Sequence, residues 1–161
     1  MNKFISETKK ENFSVKHVLF ELAKNEENEI QKVAGKININ INKDIVLYGT
    51  ESKLYRVIMN LIRNSVLSYK ERNLKGDVNI YTSEDIDGYT IAVEDKAGGI
   101  PEEVRNTLFK KILTTRGTKG TGLGLYLSAG IIEGDFKGKI SFETNNNGTI
   151  FYIKIPKNKE E

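Results

Sequence analysis

Three glycines at alternate positions, Gly120, Gly122 and Gly124, stand within the run Gly-Thr-Gly-Leu-Gly-Leu and open straight into the apolar stretch Leu125-Tyr126-Leu127-Ser128-Ala129, which continues to Ile132. Glycine lets a backbone bend sharply and lie close against a ligand. The apolar stretch reads as a helix from about residue 122 to about residue 133. The first turn of a helix offers free N–H groups and a partial positive charge, which suit a phosphate. A glycine turn feeding a helix start is therefore the element around which the rest of the chain has to be arranged.

The segment just before that turn is basic. Residues 101–121 hold Arg105, Lys110, Lys111, Arg116 and Lys119 against Glu102 and Glu103, a surplus equal to the +3 formal charge of the whole chain. Such a stretch is either a solvated loop or a flap over an anion, and its place before the glycines favours the flap. A net +3 is too small to argue for nucleic acid. With 161 residues, 38% hydrophobic and 29% charged, the chain reads as a single globular domain. No apolar run approaches the roughly 18 residues that span a bilayer, and no signal-peptide pattern opens the chain. The absence of cysteine removes disulfide and thiolate chemistry, and a single histidine, His17, argues against a histidine-rich metal site.

Periodicity outlines the elements. Residues 13–32 read as a helix, with Val15, Val18, Leu19 and Leu22 at helical spacing and Ser14 as candidate N-cap. Ile37, Ile39 and Ile41 alternate with asparagines as in a half-buried strand, and residues 45–48 form a second strand candidate. Leu54, Val57, Ile58, Leu61, Ile62 and Val66 mark one face of a long helix over residues 51–72, ended by Gly76-Asp77. Residues 78–83 and 89–94 read as a hairpin. A short helix is expected at 102–109, with Pro101 at its start. A last hairpin, 139–144 and 149–155, turns at Asn145-Asn146-Asn147-Gly148, where positive φ is tolerated. Hairpins in place of repeated crossovers favour an α+β sandwich: a mixed sheet with helices on one face.

Two further sets of residues can carry chemistry. Asn60 and Asn64 lie four apart on the flank of the long helix. They are either ordinary helix-flank amides or oxygen donors to a hard cation and phosphates. Asp95 ends an apolar strand before Gly98-Gly99-Ile100-Pro101. It either initiates a turn or accepts a hydrogen bond from a ligand N–H at the base of a pocket. A P-loop is excluded, because Gly35-Lys36 and Gly138-Lys139 are each followed by Ile. The spacing of glycines 120, 122 and 124 also differs from a dinucleotide fingerprint.

Together, Asn-Leu-Ile-Arg-Asn (60–64), Asp-Lys-Ala-Gly-Gly-Ile (95–100), Phe109 with Thr114-Thr115-Arg116, and Gly-Thr-Gly-Leu-Gly-Leu (120–125) resemble the N, G1, F and G2 boxes of the GHKL ATP-binding superfamily. Asn-Gly-Thr-Ile-Phe (147–151) resembles its last, G3-like element. Within the superfamily the chain is most similar to the catalytic, ATP-binding domain of sensor histidine kinases.

The resemblance implies a Bergerat-type α/β two-layer sandwich over residues 13–156, with residues 1–12 a connection to an upstream dimerisation domain or a frayed tail, and 157–161 a tail. It implies ATP and Mg²⁺ as cofactors. Asp95 would bind the adenine amino group. Asn64 would ligate Mg²⁺, with Asn60 supporting the metal or phosphates. Gly99 and Ile100 would shape the adenine pocket, and Thr149 would lie near the base, acting through water. Gly120, Thr121, Gly122, Leu123, Gly124 and Leu125 would wrap the phosphates. Residues 102–121 would be a mobile lid, with Arg116 and Lys119 as its phosphate contacts.

The chain departs from the pattern at Ala97, where a glycine is usual, at Lys96, where Asn is common, and at Leu113, where an aromatic is usual. A basic residue often found shortly after the N box is missing at residues 66–68. Hydrolases of the superfamily carry a glutamate as general base four residues before the metal-binding Asn. Here that position is Asn60, which has no basic group, so the expectation is a kinase. His17 has no adjacent acid or following proline and reads as structural or surface. The γ-phosphoryl group would pass to a histidine on a separate dimerisation domain, and the parent's partner would be a response regulator. No nucleic-acid or membrane contact is expected of this segment, and its location would be cytoplasmic. The alternative is a stand-alone anti-sigma-factor-type serine kinase or binding module of the same fold.

Overall fold

A computed structural model describes residues 9–100, 102, 105, 106 and 121–157, with backbone only at 121–123. In chain order the elements are β1 (Glu11–Ser14), α1 (Val15–Asn25), α2 (Glu27–Gln31), β2 (Ile37–Asn40), β3 (Val46–Gly49), α3 (Glu51–Glu71), β4 (Val78–Glu84), β5 (Gly88–Asp95), α4 (Thr121–Phe136), β6 (Lys139–Thr144) and β7 (Thr149–Pro156). Five strands form one sheet in the order β2-β4-β5-β7-β6, and β1 pairs with β3 in a separate two-stranded sheet. Only β2 with β4 is parallel; the other pairs are antiparallel. The sheet is therefore mixed; α1 packs on β2, α3 on β5 and α4 on β6 and β7, and α3 packs against both α1 and α4. Among the described residues, no helix is long and apolar enough to cross a membrane.

The layer between helices and sheet is largely apolar. Leu54, Val57, Ile58, Leu61, Ile62 and Val66 of α3 are buried against Val78, Ile80, Ile91, Val93, Phe151 and Ile153 of the strands and Leu125 and Ile132 of α4. Each fully buried side chain of this kind contributes about 1.5–3 kcal/mol relative to exposure. Helix α3 ends in a tight cap. Asn73 adopts φ +60°, the Leu74 N–H donates to the Tyr69 carbonyl (2.8 Å) and the Asn73 N–H to that of Lys70 (3.1 Å). This is the Schellman arrangement, with asparagine in the place glycine usually takes.

Three local expectations differ from the structure. The helix expected over 13–32 is two helices preceded by a strand. Phe13 sits in β1, and its ring meets Phe136 edge-on at 6.2 Å. Ser14 does cap α1, accepting from the His17 N–H at 3.1 Å, and its hydroxyl donates to Asp44 at 2.6 Å. The helix then breaks at Glu26 (φ −100°, ψ 12°), whose nearly buried carboxylate receives two bonds from Arg63, at 2.8 and 3.1 Å. The strand at the alternating Ile-Asn run stops at Asn40. The Asn145–Gly148 turn uses no positive φ. Instead the Asn145 side chain accepts from the N–H groups of Asn147 (2.7 Å) and Gly148 (3.2 Å), an Asx turn. Of the short helix expected after Pro101, Glu102, Arg105 and Asn106 are described and are helical; its other residues lie outside the described set.

Candidate nucleotide-binding site

The site is built on the buried stripe of α3. Leu61, Ser65 and Tyr69 follow at intervals of four on the face turned to the sheet, and all three are buried. Two of them are polar and both reach the end of β5. The Ser65 hydroxyl donates to Asp95 Oδ2 at 2.7 Å. The Tyr69 hydroxyl accepts from the Lys96 N–H at 2.8 Å and donates to the Asp77 carbonyl at 2.7 Å. Neither residue is singled out by motif spacing. The available signal was a serine and a tyrosine within an otherwise apolar stripe, since buried hydroxyls require partners.

Asp95 is 5% exposed. Its Oδ1 accepts from the Ala97 N–H at 3.0 Å, and its strand partner is Thr149, the first residue of β7. Burial pushes its carboxyl above the ordinary range. The Ser65 hydroxyl, the Ala97 and Thr149 N–H groups and the charge of Arg72 pull in the other direction without offsetting burial. A carboxylate kept in such a place at a strand end, with its acceptor capacity only partly used, is suited to a ligand N–H.

The loop after Asp95 doubles back on the β6–β7 turn. Gly98 and Gly99 adopt φ +92° and +79°, and a Cβ on Gly99 would lie 1.8 Å from the Asn145 carbonyl oxygen. Ala97, at the position where the sequence departs from the usual glycine, is not in the left-handed region, and its methyl is buried. The two residues that need left-handed backbone are both glycine, so the departure costs no strain. Arg72 Nη1 donates to the Ala97 carbonyl at 2.9 Å. The Ile100 N–H donates to Thr144 Oγ1 at 2.8 Å, and that hydroxyl lies 3.0 Å from Thr149 Oγ1. Thr149 and half-buried Ile100 are thus brought together with Asp95 and Gly99 at one end of the sheet. The exposed Lys96 Nζ lies 3.8 Å from Glu94.

Asn60 and Asn64 sit one turn apart on α3, Asn64 directly before Ser65. They are in different states. Asn60 Nδ2 donates to Ser128 Oγ of α4 at 3.2 Å. Asn64 Nδ2 is buried and, among the described residues, has no hydrogen-bond partner. Leu125 is buried beneath the first turn of α4, and Gly124 faces Asn60. Thr121, Gly122 and Leu123 form the start of that helix, described by their backbone. Arg116, Lys119 and Gly120 lie outside the described residues, as do Phe109 and Leu113. Within the basic segment Arg105 is described, and its Nε donates to the Ile100 carbonyl at 2.9 Å.

Comparison with known proteins gives the fold and the family. The profile of the histidine kinase-, DNA gyrase B-, and HSP90-like ATPase family matches residues 49–159. Sporulation kinase A of Bacillus subtilis is 38% identical over 123 residues, covering 75% of this chain and 20% of that protein. The sensory histidine kinase/phosphatase NtrB of Azospirillum brasilense is 32% identical over 124 residues, covering 68% of this chain and 30% of that protein. The chain therefore spans between a fifth and a third of the length of these relatives. The catalytic domain of histidine kinase ThkA superimposes with a TM-score of 0.77 at 26% identity, covering 93% of this chain and 99% of that one. The fold is that of histidine kinase catalytic domains, and the chain belongs to the histidine kinase-, DNA gyrase B- and HSP90-like ATPase family.

Proposed function

We propose that this domain holds ATP with Mg²⁺ and presents the γ-phosphoryl group of ATP to a histidine on a separate dimerisation domain of its parent kinase. The observation that carries the reading is Asp95. A buried carboxylate, held by Ser65 and Ala97 at the mouth of a Gly98-Gly99 loop, is matched to the amino group of adenine. Gly99 and Ile100 form the wall against which the base lies, and Thr149 reaches it through water. The N–H groups at the start of α4, with Gly120, Thr121, Gly122, Leu123, Gly124 and Leu125, surround the phosphates, and Arg116 and Lys119 neutralise them.

The residues present fit a magnesium ion. The Asn64 Nδ2 is buried without a hydrogen-bond partner among the described residues, so no bond at the nitrogen fixes the amide's orientation and its oxygen can be turned toward an ion. A single amide oxygen together with phosphates and water is a donor set that Mg²⁺ favours. Asn64 would hold the ion, with Asn60 in support, and the bound ion would neutralise charge on the β- and γ-phosphates. Catalysis then rests on positioning and charge stabilisation. No residue at position 60 activates water, which suits transfer to an imidazole over hydrolysis.

His17 is exposed on the first turn of α1, where its backbone N–H completes the Ser14 cap; with no adjacent acid and no following proline, it does not fit the acceptor's role. The parent would pass the phosphoryl group on to a response regulator. ThkA, the parent of the similar catalytic domain, forms a complex with its response regulator protein TrrA. The domain would work in the cytoplasm.

Incubation with labelled ATP and Mg²⁺ tests the proposal. The isolated chain is expected to bind ATP and to stay unlabelled. Acid-labile label should appear on an added histidine-bearing domain of the parent. Label on His17, lost in His17→Ala, would overturn the assignment of the acceptor. Acid-stable label on a serine of another protein would overturn the histidine kinase reading.

A further inference from the structure

Asn60 is engaged by α4 from two sides. Its Nδ2 donates to the Ser128 hydroxyl at 3.2 Å, and Ser128 is 3% exposed. One turn earlier on α4, Gly124 leaves the space in which the amide lies, because a Cβ there would sit 2.7 Å from Asn60 Nδ2 and 3.1 Å from its Oδ1. The amide is thus seated on the glycine and tied to the serine, which fall on one face of α4 at positions i and i+4. Asn64, one turn along α3, has no such tie. Two residues that look equivalent in sequence therefore stand in different chemical situations.

We infer that Asn60, Gly124 and Ser128 form a clamp that sets the register of α4 on α3, and that Ser128 is a positioning residue for phosphate binding. The inference rests on the nucleotide-binding reading given above. The glycine turn at the start of α4 offers its N–H groups to phosphates only if the helix axis is held in place. α4 carries no charged residue in its first turn to hold it. The clamp lies within two turns of that start and fixes its distance from Asn64. Asn60 then acts through α4, and its own amide is not a free phosphate ligand. Because an amide on a serine spends one N–H, its oxygen end stays available to water in the site.

Calorimetric titration with ATP and with adenosine, each with and without Mg²⁺, separates this role from a purely structural one. Adenosine reads the Asp95 pocket alone. Ser128→Ala leaves a donor unpaired and should weaken Mg²⁺–ATP binding about fivefold while leaving adenosine affinity unchanged. Ser128→Thr keeps the hydroxyl and should restore ATP binding. Gly124→Ala displaces the amide without removing the hydroxyl and should reproduce the loss seen in Ser128→Ala. Asn60→Ala combined with Ser128→Ala should be no weaker than Asn60→Ala alone, because both break one contact. Additive losses would show that Asn60 touches the phosphates independently and would overturn the clamp. Equal weakening of adenosine and ATP would reduce Ser128 to a packing residue and overturn it too. A wild-type chain that binds neither ligand would overturn the nucleotide reading itself, and this inference with it. Wild-type binding with an unaltered ATP-to-adenosine ratio in every variant would overturn the clamp alone.

Discussion

Replacing Asp95 by asparagine should separate stability from binding. The carboxyl is 5% exposed, and burial holds its pKa above the ordinary value despite the bonds from Ser65 and Ala97. Asparagine is nearly isosteric and can keep both bonds. Its Oδ1 accepts from the Ala97 N–H, which cannot rotate, and its Nδ2 donates to the Ser65 hydroxyl, which can. The variant thus removes a desolvated charge at little cost, and its folding stability without nucleotide should be unchanged or higher. Binding should suffer in the opposite direction. The Oδ2 acceptor becomes an N–H₂ donor, so the ligand's amino group loses a charge-assisted partner. That loss is about 1–3 kcal/mol, or roughly 5- to 150-fold in affinity for ATP.

The dependence on pH has a definite sign. A raised folded pKa means that the folded chain holds this proton more tightly than the unfolded chain. The stabilising contribution is complete below the unfolded value, about 3.9, and is lost as pH rises through the folded value. The advantage of Asp95→Asn should therefore open over that window and stay level above it. Urea denaturation across pH, with calorimetry of ATP binding at neutral pH, measures both halves. A variant less stable than wild type by more than about 1 kcal/mol at neutral pH would refute the desolvation argument. Unchanged ATP affinity would refute the adenine role.

Asn64→Ala should abolish the Mg²⁺ dependence of ATP binding with little loss of stability, since its Nδ2 makes no bond that would be broken; persistence of the dependence in calorimetry would rule out the metal assignment. Gly99→Ala should destabilise the fold by more than about 1 kcal/mol, because an alanine at φ +79° is strained and its methyl would sit 1.8 Å from the Asn145 carbonyl oxygen. A denaturation midpoint equal to wild type would contradict that geometry. Tyr69→Phe should cost about 1–3 kcal/mol, read by chemical denaturation, because it leaves the Asp77 carbonyl and the Lys96 N–H without their bond to the Tyr69 hydroxyl. Ser14→Ala should cost about 1 kcal/mol by removing the cap of α1, and a thermal melt unchanged from wild type would count against it.

What the sequence made legible was what is local. Helix α3 could be read from its apolar stripe, and the two hairpins from turn residues whose side chains do the turning, as Asp85 and Asn145 do. The Asp95–Gly99 corner was legible because its left-handed positions demand glycine. The break at Glu26 was not, because it depends on Arg63, 37 residues away. Nor was strand β1, whose Phe13 is held by Phe136 and by pairing with Leu47. The inner bonds of the site span 30 residues from Ser65 to Asp95 and 68 from Asn60 to Ser128. No spacing rule encodes such partners; only the packing of α3 between β5 and α4 does.

Helix α4 is tied near its middle and at its far end. Its 16 residues make a rod about 24 Å long. Ser128 lies seven residues from Thr121 and eight from Phe136, which gives arms of about 10 and 12 Å on either side of the tie to Asn60. The far arm is gripped by the entry strand and its surroundings: Phe136 meets Phe13, and Asp135 accepts from the Thr50 N–H at 2.9 Å with Lys10 and Lys53 within 3.9 Å. With nearly equal arms, a tilt about the fulcrum that lifts the Phe136 end by about 1 Å lowers the glycine turn by about the same amount. A rigid rod turning about that tie would have a mechanical advantage near one: it would reverse the direction of a displacement without amplifying it.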